Sequence, residues 1–350
     1  MSADRAVAFS AVKKSAFSGP LNDGITRAFH GTGQWSARRM LQTILTTLVP
    51  VAFVVFLGYL GGRKSFSVAD RALLTKLVLK WLLPSLLLGG VLATPRADLL
   101  NYKIPLIFFV GLIVPFLAVL LIYRFVLRYN RDTAVLKADL LAFPDMVFMG
   151  IPILYQLFGP SSLFPILVAN LIPTLIVIPL TSLVLELGSE ERTRAGSHVF
   201  ASAVLRALRQ PQVWAPIAGA ALVILNVPIP RFAIDSLQLM GQPTTGLSLF
   251  VVGLIVAEEK VRLTMAVAVD SIFKNLLHPA AMLVTVHAFG VTGVLAREAV
   301  LLAAIPSAVI TTMFAEQYGI LVTESSTTVL ATRVLSFGTI PLVILLTRRL

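Results

Sequence analysis

Residues 142–155 read AFPDMVFMGIPILY. The stretch is apolar enough for lipid, yet it carries Pro144, Asp145, Gly150 and Pro152. A proline inside a helix removes one backbone donor, and its ring clashes with the carbonyl four residues back. Hydrocarbon offers no water to the freed groups, so a break is tolerated only where it is buried in protein or lines a wet cavity. The stretch therefore predicts a membrane helix interrupted near its middle, with a carboxylate beside the interruption.

The remainder of the chain sets that break in a polytopic membrane protein. Hydrophobic residues make up 57% of the 350, charged residues 13%, and the mean hydropathy is +0.88. A soluble domain is nearer half apolar and a quarter charged. Apolar runs of about 20 residues, the length of a membrane-spanning helix, recur along the whole chain. Ten spans are predicted, at 42–60, 72–93, 104–127, 138–158, 163–187, 213–227, 236–257, 267–289, 299–318 and 327–347. A polar connection at 188–210 divides them into a first repeat at 40–187 and a second at 211–350.

The net charge of +12 follows the short loops. With the first span running outside to inside, the inner connections hold Arg63, Lys64, Arg71, Lys76, Arg124, Arg128, Arg131, Lys137, Arg192, Arg194, Arg206, Arg209, Lys260 and Arg262, whereas the outer ones hold Arg96, Lys103, Arg231 and Arg297. Retention of basic loops in the cytoplasm then predicts both mature termini outside, in the periplasm if the membrane is a bacterial inner membrane. Residues 1–39 conflict with this, because Arg5, Lys13, Lys14, Arg27, Arg38 and Arg39 ought to stay inside. They lack the apolar core of a secretory signal. A non-structural leader ahead of a start at Met40 is the expectation, with a disordered cytoplasmic tail as the alternative.

Several function classes drop out. Cysteine is absent, which removes structural disulfides, thiolate metal sites and cysteine nucleophiles. The four histidines have no metal-ligand spacing, and no phosphate-cradling GxxxxGK[ST] loop is present. No cofactor, no metal and no nucleic-acid partner are expected.

The two halves echo each other. The second span reads KWLLPSLLLGG and the seventh LMGQPTTGLSLFVVG, each with a proline followed by small residues and leucines. The fourth continues to AFPDMVFMGIPILYQLFG, and the ninth reads AIPSAVITTMFAEQYG. A shift of five spans inverts the second copy across the membrane. Inverted repeats with interrupted helices at matching positions point to a secondary transporter and its central site. Pro144, Gly150 and Pro152 are predicted to mark one unwound stretch and Pro306 its partner. Half-helix N-termini meeting there would offer free N–H groups and partial positive charge to a carboxylate. A merely kinked structural helix is the plain alternative for either break alone.

Asp145 needs a partner in such surroundings. Arg333, in the tenth-span sequence TTVLATRVLSF, lies at a similar depth of roughly 10 Å from the inner end at 1.5 Å per residue. The two are expected to pair or to exchange partners when substrate arrives; Arg333 alone could meet an anion, or the pair could be fixed and structural. Asn170, Ser307 and Thr311 are candidate lining groups, Asn170 equally able to bond a neighbouring helix. Lys80 can snorkel toward the inner surface. Asp139 and Glu316 are expected to be solvated near inner helix ends. Asp270, Lys274 and His278 recur every four residues and predict an ion-pair ladder on one helix face; His278 and His287 could alternatively relay protons.

At FPDMVFMGIPIL and AAIPSAVITTMFAEQYG the chain resembles the auxin efflux carrier family, which includes plant carriers and bacterial carboxylate permeases. LVPVAFVVFLGYLGGRK, LVLKWLLPSLLL and RQPQVWAPIAGAAL carry the likeness further, over essentially residues 40–350. The resemblance implies an all-α membrane protein of ten transmembrane helices in two inverted five-helix repeats, with broken fourth and ninth helices that cross. It also implies a scaffold, a moving transport domain, elevator-type alternating access, a homodimer, and small organic anions such as malonate, malate or an auxin-like carboxylate. Pro144, Gly150, Pro152 and Pro306 match the family's broken-helix motifs. Asp145 departs from them, since plant members carry asparagine after that first proline, where it helps hold the anion. An aspartate there would repel a carboxylate unless protonated or neutralised by Arg333, which introduces a proton as coupling ion. In distant relatives of the same architecture a basic residue on the tenth helix stands in for a coupling cation, a role Arg333 resembles. The expected function is secondary transport of a small carboxylate across the plasma membrane. An intramembrane enzyme lacks a GxSxG or HExxH nucleophile or metal motif here, and an anion channel or sensor without coupled transport is the other alternative.

Overall fold

The computed structural model describes residues 37–186, 197–258 and 262–350. The expected leader, apart from its last three residues, and the part of the expected linker that holds Arg192 and Arg194 lie outside the described residues, as does Lys260. Fifteen helical segments carry the fold among the described residues. They are α1 Ala37–Lys64, α2 Val68–Leu92, α3 Lys103–Val126, α4 Arg131–Ala142, α5 Ile151–Phe158, α6 Leu163–Ile172 and α7 Ile178–Glu186. Then follow α8 Ser197–Leu208, α9 Pro211–Ile224, α10 Arg231–Gly241, α11 Thr244–Glu258, α12 Met265–Ala288, α13 Gly293–Ala304, α14 Ile310–Tyr318 and α15 Val322–Leu346. The described chain contains no β-strand.

Six stretches are long and apolar enough to cross a membrane: Val68–Leu92, Lys103–Val126, Met146–Glu186, Arg231–Glu258, Met265–Ala288 and Val322–Leu346. Helix α9 is apolar but shorter. Against the ten predicted spans, those at 42–60, 213–227 and 299–318 have no counterpart in this set, and the fourth and fifth run together in Met146–Glu186. Helices α4, α5, α13 and α14 have 12, 8, 12 and 9 residues, too few for any of them to cross alone. At the outer surface Phe53, Trp81, Phe125, Trp214 and Phe232 stay exposed, as lipid-facing side chains do.

Proline shapes the helices in a regular way. Wide π-type turns at Val78–Leu82, Met146–Gly150, Pro173–Val177 and Phe273–Leu277 each end two residues before a proline: Pro84, Pro152, Pro179 and Pro279. A ring at position i would strike the carbonyl at i−4, and its nitrogen has no hydrogen to donate; widening the preceding turn removes both conflicts. The sequence expectation for Gly150 and Pro152 is corrected by this. Gly150 has helical dihedrals (φ −62°, ψ −53°), and Pro152 sits in the first turn of α5, so neither is unwound. The break is confined to Phe143–Asp145.

Small residues set the closest helix contact. A Cβ on Gly58 of α1 would lie 2.1 Å from the Phe250 carbonyl oxygen of α11, and one on Gly253 would lie 2.1 Å from the Val55 oxygen. Gly62 meets Ala257 one turn on. Lipid is as apolar as leucine, so close packing rather than hydrophobic transfer holds such helices together. The same device recurs where Gly241 of α10 rests on the backbone of Leu86 in α2, beside Pro84.

Gly253→Val is therefore expected to lose about 1–3 kcal/mol or more through overpacking, whereas Gly246→Ala, with no atom within 4 Å of the new Cβ, should be neutral or slightly stabilising. Thermal denaturation followed by size-exclusion of detergent-solubilised protein checks this, and equal melting of the two variants would contradict the close contact.

Candidate functional site

Helix α4 opens on Asn130, whose side chain accepts from the Thr133 N–H at 2.7 Å, and closes at Phe143, where the backbone turns extended (φ −106°, ψ 102°). Helix α13 closes likewise at Ile305 (φ −62°, ψ 138°). The two interruptions lie side by side and antiparallel, with Pro144 opposite Ser307. The Asp145 N–H donates to the Pro306 carbonyl at 2.8 Å, and the Ala308 N–H donates to the Phe143 carbonyl at 2.9 Å. Both prolines occupy positions at which this short ladder asks for no donor, which is where a proline can sit without loss. Ser307 adds two bonds: its hydroxyl donates to the Leu140 carbonyl left over at the end of α4 (2.5 Å), and its N–H donates to the Thr332 hydroxyl of α15 (3.3 Å).

Asp145 is the hinge of the second half-helix. Its Oδ1 accepts from the Phe148 N–H at 3.2 Å, capping the turn that follows. Its Oδ2 accepts from Arg333 Nη2 at 2.9 Å, so the expected ion pair is present. Both side chains are nearly sealed, 5% and 3% exposed. The guanidinium is nevertheless under-used: among the described residues Arg333 Nε and Nη1 have no hydrogen-bond partner, and neither does the buried Thr311 hydroxyl. Buried donors without partners are rare in native proteins, and a ligand is one of the standard reasons for them. The position of Arg333 is held from behind, where the side-chain amide of Asn275 donates to the Thr332 carbonyl at 3.0 Å and the Ser336 hydroxyl donates to that of Arg333 at 2.6 Å.

Residues 43–344 match the model of the family described as membrane transport protein. The chain belongs to this family, that of the auxin efflux carriers. It is a multi-pass membrane transporter. An uncharacterized transporter, YfdV, of Escherichia coli K12 is 29% identical over 305 residues, covering 85% of this chain and 95% of its own length. Two probable auxin efflux carrier components of rice, 5a and 5b, are 29% and 31% identical over 129 and 143 residues, or 36% and 37% of their lengths.

Within this auxin-efflux-carrier relative the predicted residues do not all gather. Pro144, Asp145, Pro306, Ser307 and Arg333 meet at the paired interruptions, with Thr311 on the first turn of α14. Asn170 is buried in α6, where its carbonyl accepts from the Thr174 hydroxyl at 2.6 Å; Gly150 and Pro152 lie further along the helix that Asp145 caps. Two expectations fail. Asp139 is buried rather than solvated, at 1% exposure, because α4 continues inward into the packed core. Of the ladder Asp270–Lys274–His278 only the second step forms, Lys274 Nζ lying 2.8 Å from His278 Nδ1; the first fails because a partner on another element takes Asp270. Asp270 pairs with Lys137 of α4, which also pairs with Glu324 of α15, while the Tyr123 hydroxyl donates to Asp270 at 2.5 Å. The charge distribution assigns Lys137 to an inner connection, whereas it lies within α4. Its signal was available: a lysine followed by ADLLAF is already in a helical, apolar run.

A double-mutant cycle measures the ion pair. Arg333→Gln alone leaves a buried carboxylate unpaired and should destabilise by about 3–5 kcal/mol, while the Asp145→Asn/Arg333→Gln double variant should recover most of that. Additive losses in thermal unfolding would show that the two side chains act independently.

Proposed function

We propose that the paired interruptions bind a small organic carboxylate and that the protein moves it across the plasma membrane as a secondary transporter. One observation carries the reading: Arg333 is buried, fixed by Asp145 on one side, and keeps donors Nε and Nη1 free on another. An arginine fork with two open N–H groups matches the two oxygens of a carboxylate. The same arrangement explains how an aspartate can stand where the resemblance to plant family members implies an asparagine. Asp145 is neutralised by Arg333 and turned toward the helix cap, so it fixes the guanidinium and leaves the anion to the remaining donors. Thr311 adds a free hydroxyl and Asn170 a buried amide as further lining groups.

Taking α4 with α5, and α13 with α14, as single interrupted crossings yields ten spans in two oppositely oriented sets of five, residues 40–187 and 211–350. The matching prolines of α2 and of the α10–α11 junction, and of the two interruptions, support that repeat. Elevator-type movement, a homodimer, a bacterial inner-membrane location with both mature termini outside, and a proton as coupling ion complete the proposal. A fixed structural ion pair would fill the fork, and the open donors speak against it.

Purified protein in proteoliposomes, screened for counterflow of labelled mono- and dicarboxylates, tests this. Arg333→Lys keeps the charge and removes the fork, and should lower kcat/KM by roughly ten- to a hundredfold, the equivalent of about 1.5–3 kcal/mol in charge-assisted hydrogen bonding. Unchanged kinetics in that variant would remove Arg333 from the substrate site.

A further inference from the structure

We infer that Lys274 is the proton-carrying site of this transporter, loaded when the carboxylate binds; the inference rests on the carboxylate reading above. Lys274 lies in the wide turn Phe273–Leu277 of α12 and is completely buried. Its Nζ contacts two groups: His278 Nδ1 at 2.8 Å and the carbonyl oxygen of Ala303 at 3.0 Å. Among the described residues no carboxylate pairs with it.

None of the ionisable groups on the elements packed around that turn forms an ion pair with Lys274 among the described residues. On α12 itself Asp270 is held by Lys137 and Tyr123, and His287 lies near the far end, against the Leu283 carbonyl. Helix α4 brings Arg131, Asp132, Lys137 and Asp139; the first two pair with each other, and Asp139 forms no ion pair. Helix α13 brings Arg297 and Glu298, and α15 brings Glu324, bound to Lys137, and Arg333, bound to Asp145. Helix α3, packed on the later part of α12, carries Lys103, Tyr123 and Arg124. None of these supplies Lys274 with a counter-anion.

A buried ammonium without one is costly, and a lysine can escape by giving up its proton, which an arginine does not do. The neutral amine fits the observed contacts: one N–H donates to Ala303, and His278 Nδ1 either accepts a second N–H or donates to the amine lone pair, according to its tautomer. The link to the substrate site is short. Ala303 lies in the last turn of α13, three residues before Pro306, and Asn275, next to Lys274, is bonded to the Thr332 carbonyl beside Arg333. A carboxylate drawn to the free Arg333 donors brings one negative charge into this water-poor interior. The amine lone pair then takes one proton from a hydronium ion of the aqueous phase on the loading side, forming an N–H bond and leaving neutral water, and returns it to water on the other side once the anion has left. Anion and proton favour each other reciprocally. For a monocarboxylate the carried pair is electrically neutral.

The test uses the full-length protein in proteoliposomes. One pH unit acting on one coupled proton supports about tenfold accumulation of a monocarboxylate. Wild type should reach that level. Lys274→Gln should lose the gradient-driven accumulation and retain counterflow, whereas Lys274→Arg, permanently charged, should lose the response to pH. Should counterflow occur while Lys274→Gln accumulates substrate as well as wild type, the proton site is overturned and the carboxylate reading stands. Absence of counterflow for every carboxylate tried overturns both. If neither variant folds, an indicator dye decides with detergent-solubilised wild type: about one proton taken up per anion bound supports the site, and no uptake overturns it.

Discussion

Four main-chain groups depend on one another: the Phe143 carbonyl, the Asp145 N–H, the Pro306 carbonyl and the Ala308 N–H. Each interruption frees polar backbone in surroundings without water, and each unsatisfied group there costs several kcal/mol. The two interruptions answer this by bonding to each other. Neither break is stable in isolation, so the sequence must carry both or neither, and the ends of α4, α5, α13 and α14 are tied to one point. That mutual satisfaction also fixes the side chains. Ser307 closes the Leu140 carbonyl, and Asp145 caps the turn before α5 while facing Arg333.

How far these features are legible in the sequence depends on their range. Prolines act locally, so Pro144 and Pro306 announced the interruptions and the short ladder found there agrees. The same residue type misled at Pro152, where a π-turn absorbs the ring and the helix runs on. Nothing in a proline's own surroundings separates these outcomes; the difference is made by whether a partner backbone is available to pair with. Span counting meets a related physical limit. Hydropathy finds continuous rods, and the half-helices of an interrupted crossing are each shorter than a bilayer. Depth counting did place Asp145 and Arg333 together, because helix rise is a reliable ruler over a few turns.

The long-range pairing of Asp270 was the part that could not be read. Asp270 and Lys137 are 133 positions apart, and the i, i+4 rule favoured Lys274 as the partner of Asp270. Lys137 gathers Asp270 and Glu324, so α4 is tied to α12 and α15 at one end of the interior. Withdrawing Asp270 into that cluster leaves Lys274 against a ring nitrogen and a carbonyl. A residue's role here is set by what its neighbours have already taken.

Counting charge at the interruptions shows why two different cations suit the proposed transport. Asp145 and Arg333 sum to zero, so an arriving carboxylate adds a full negative charge to a low-dielectric interior, where it is far less well tolerated than in water. Arg333 can grip that anion but cannot offset it further, because guanidinium is charged before and after binding. Offsetting requires a group whose charge changes, and the proposed one is the amine of Lys274, bonded to the Ala303 carbonyl three residues before Pro306. A constant cation for geometry and a variable one for charge balance would let the site be neutral both empty and loaded. Neutrality in both states is what a carrier needs if its binding site is to be moved through the membrane in either condition.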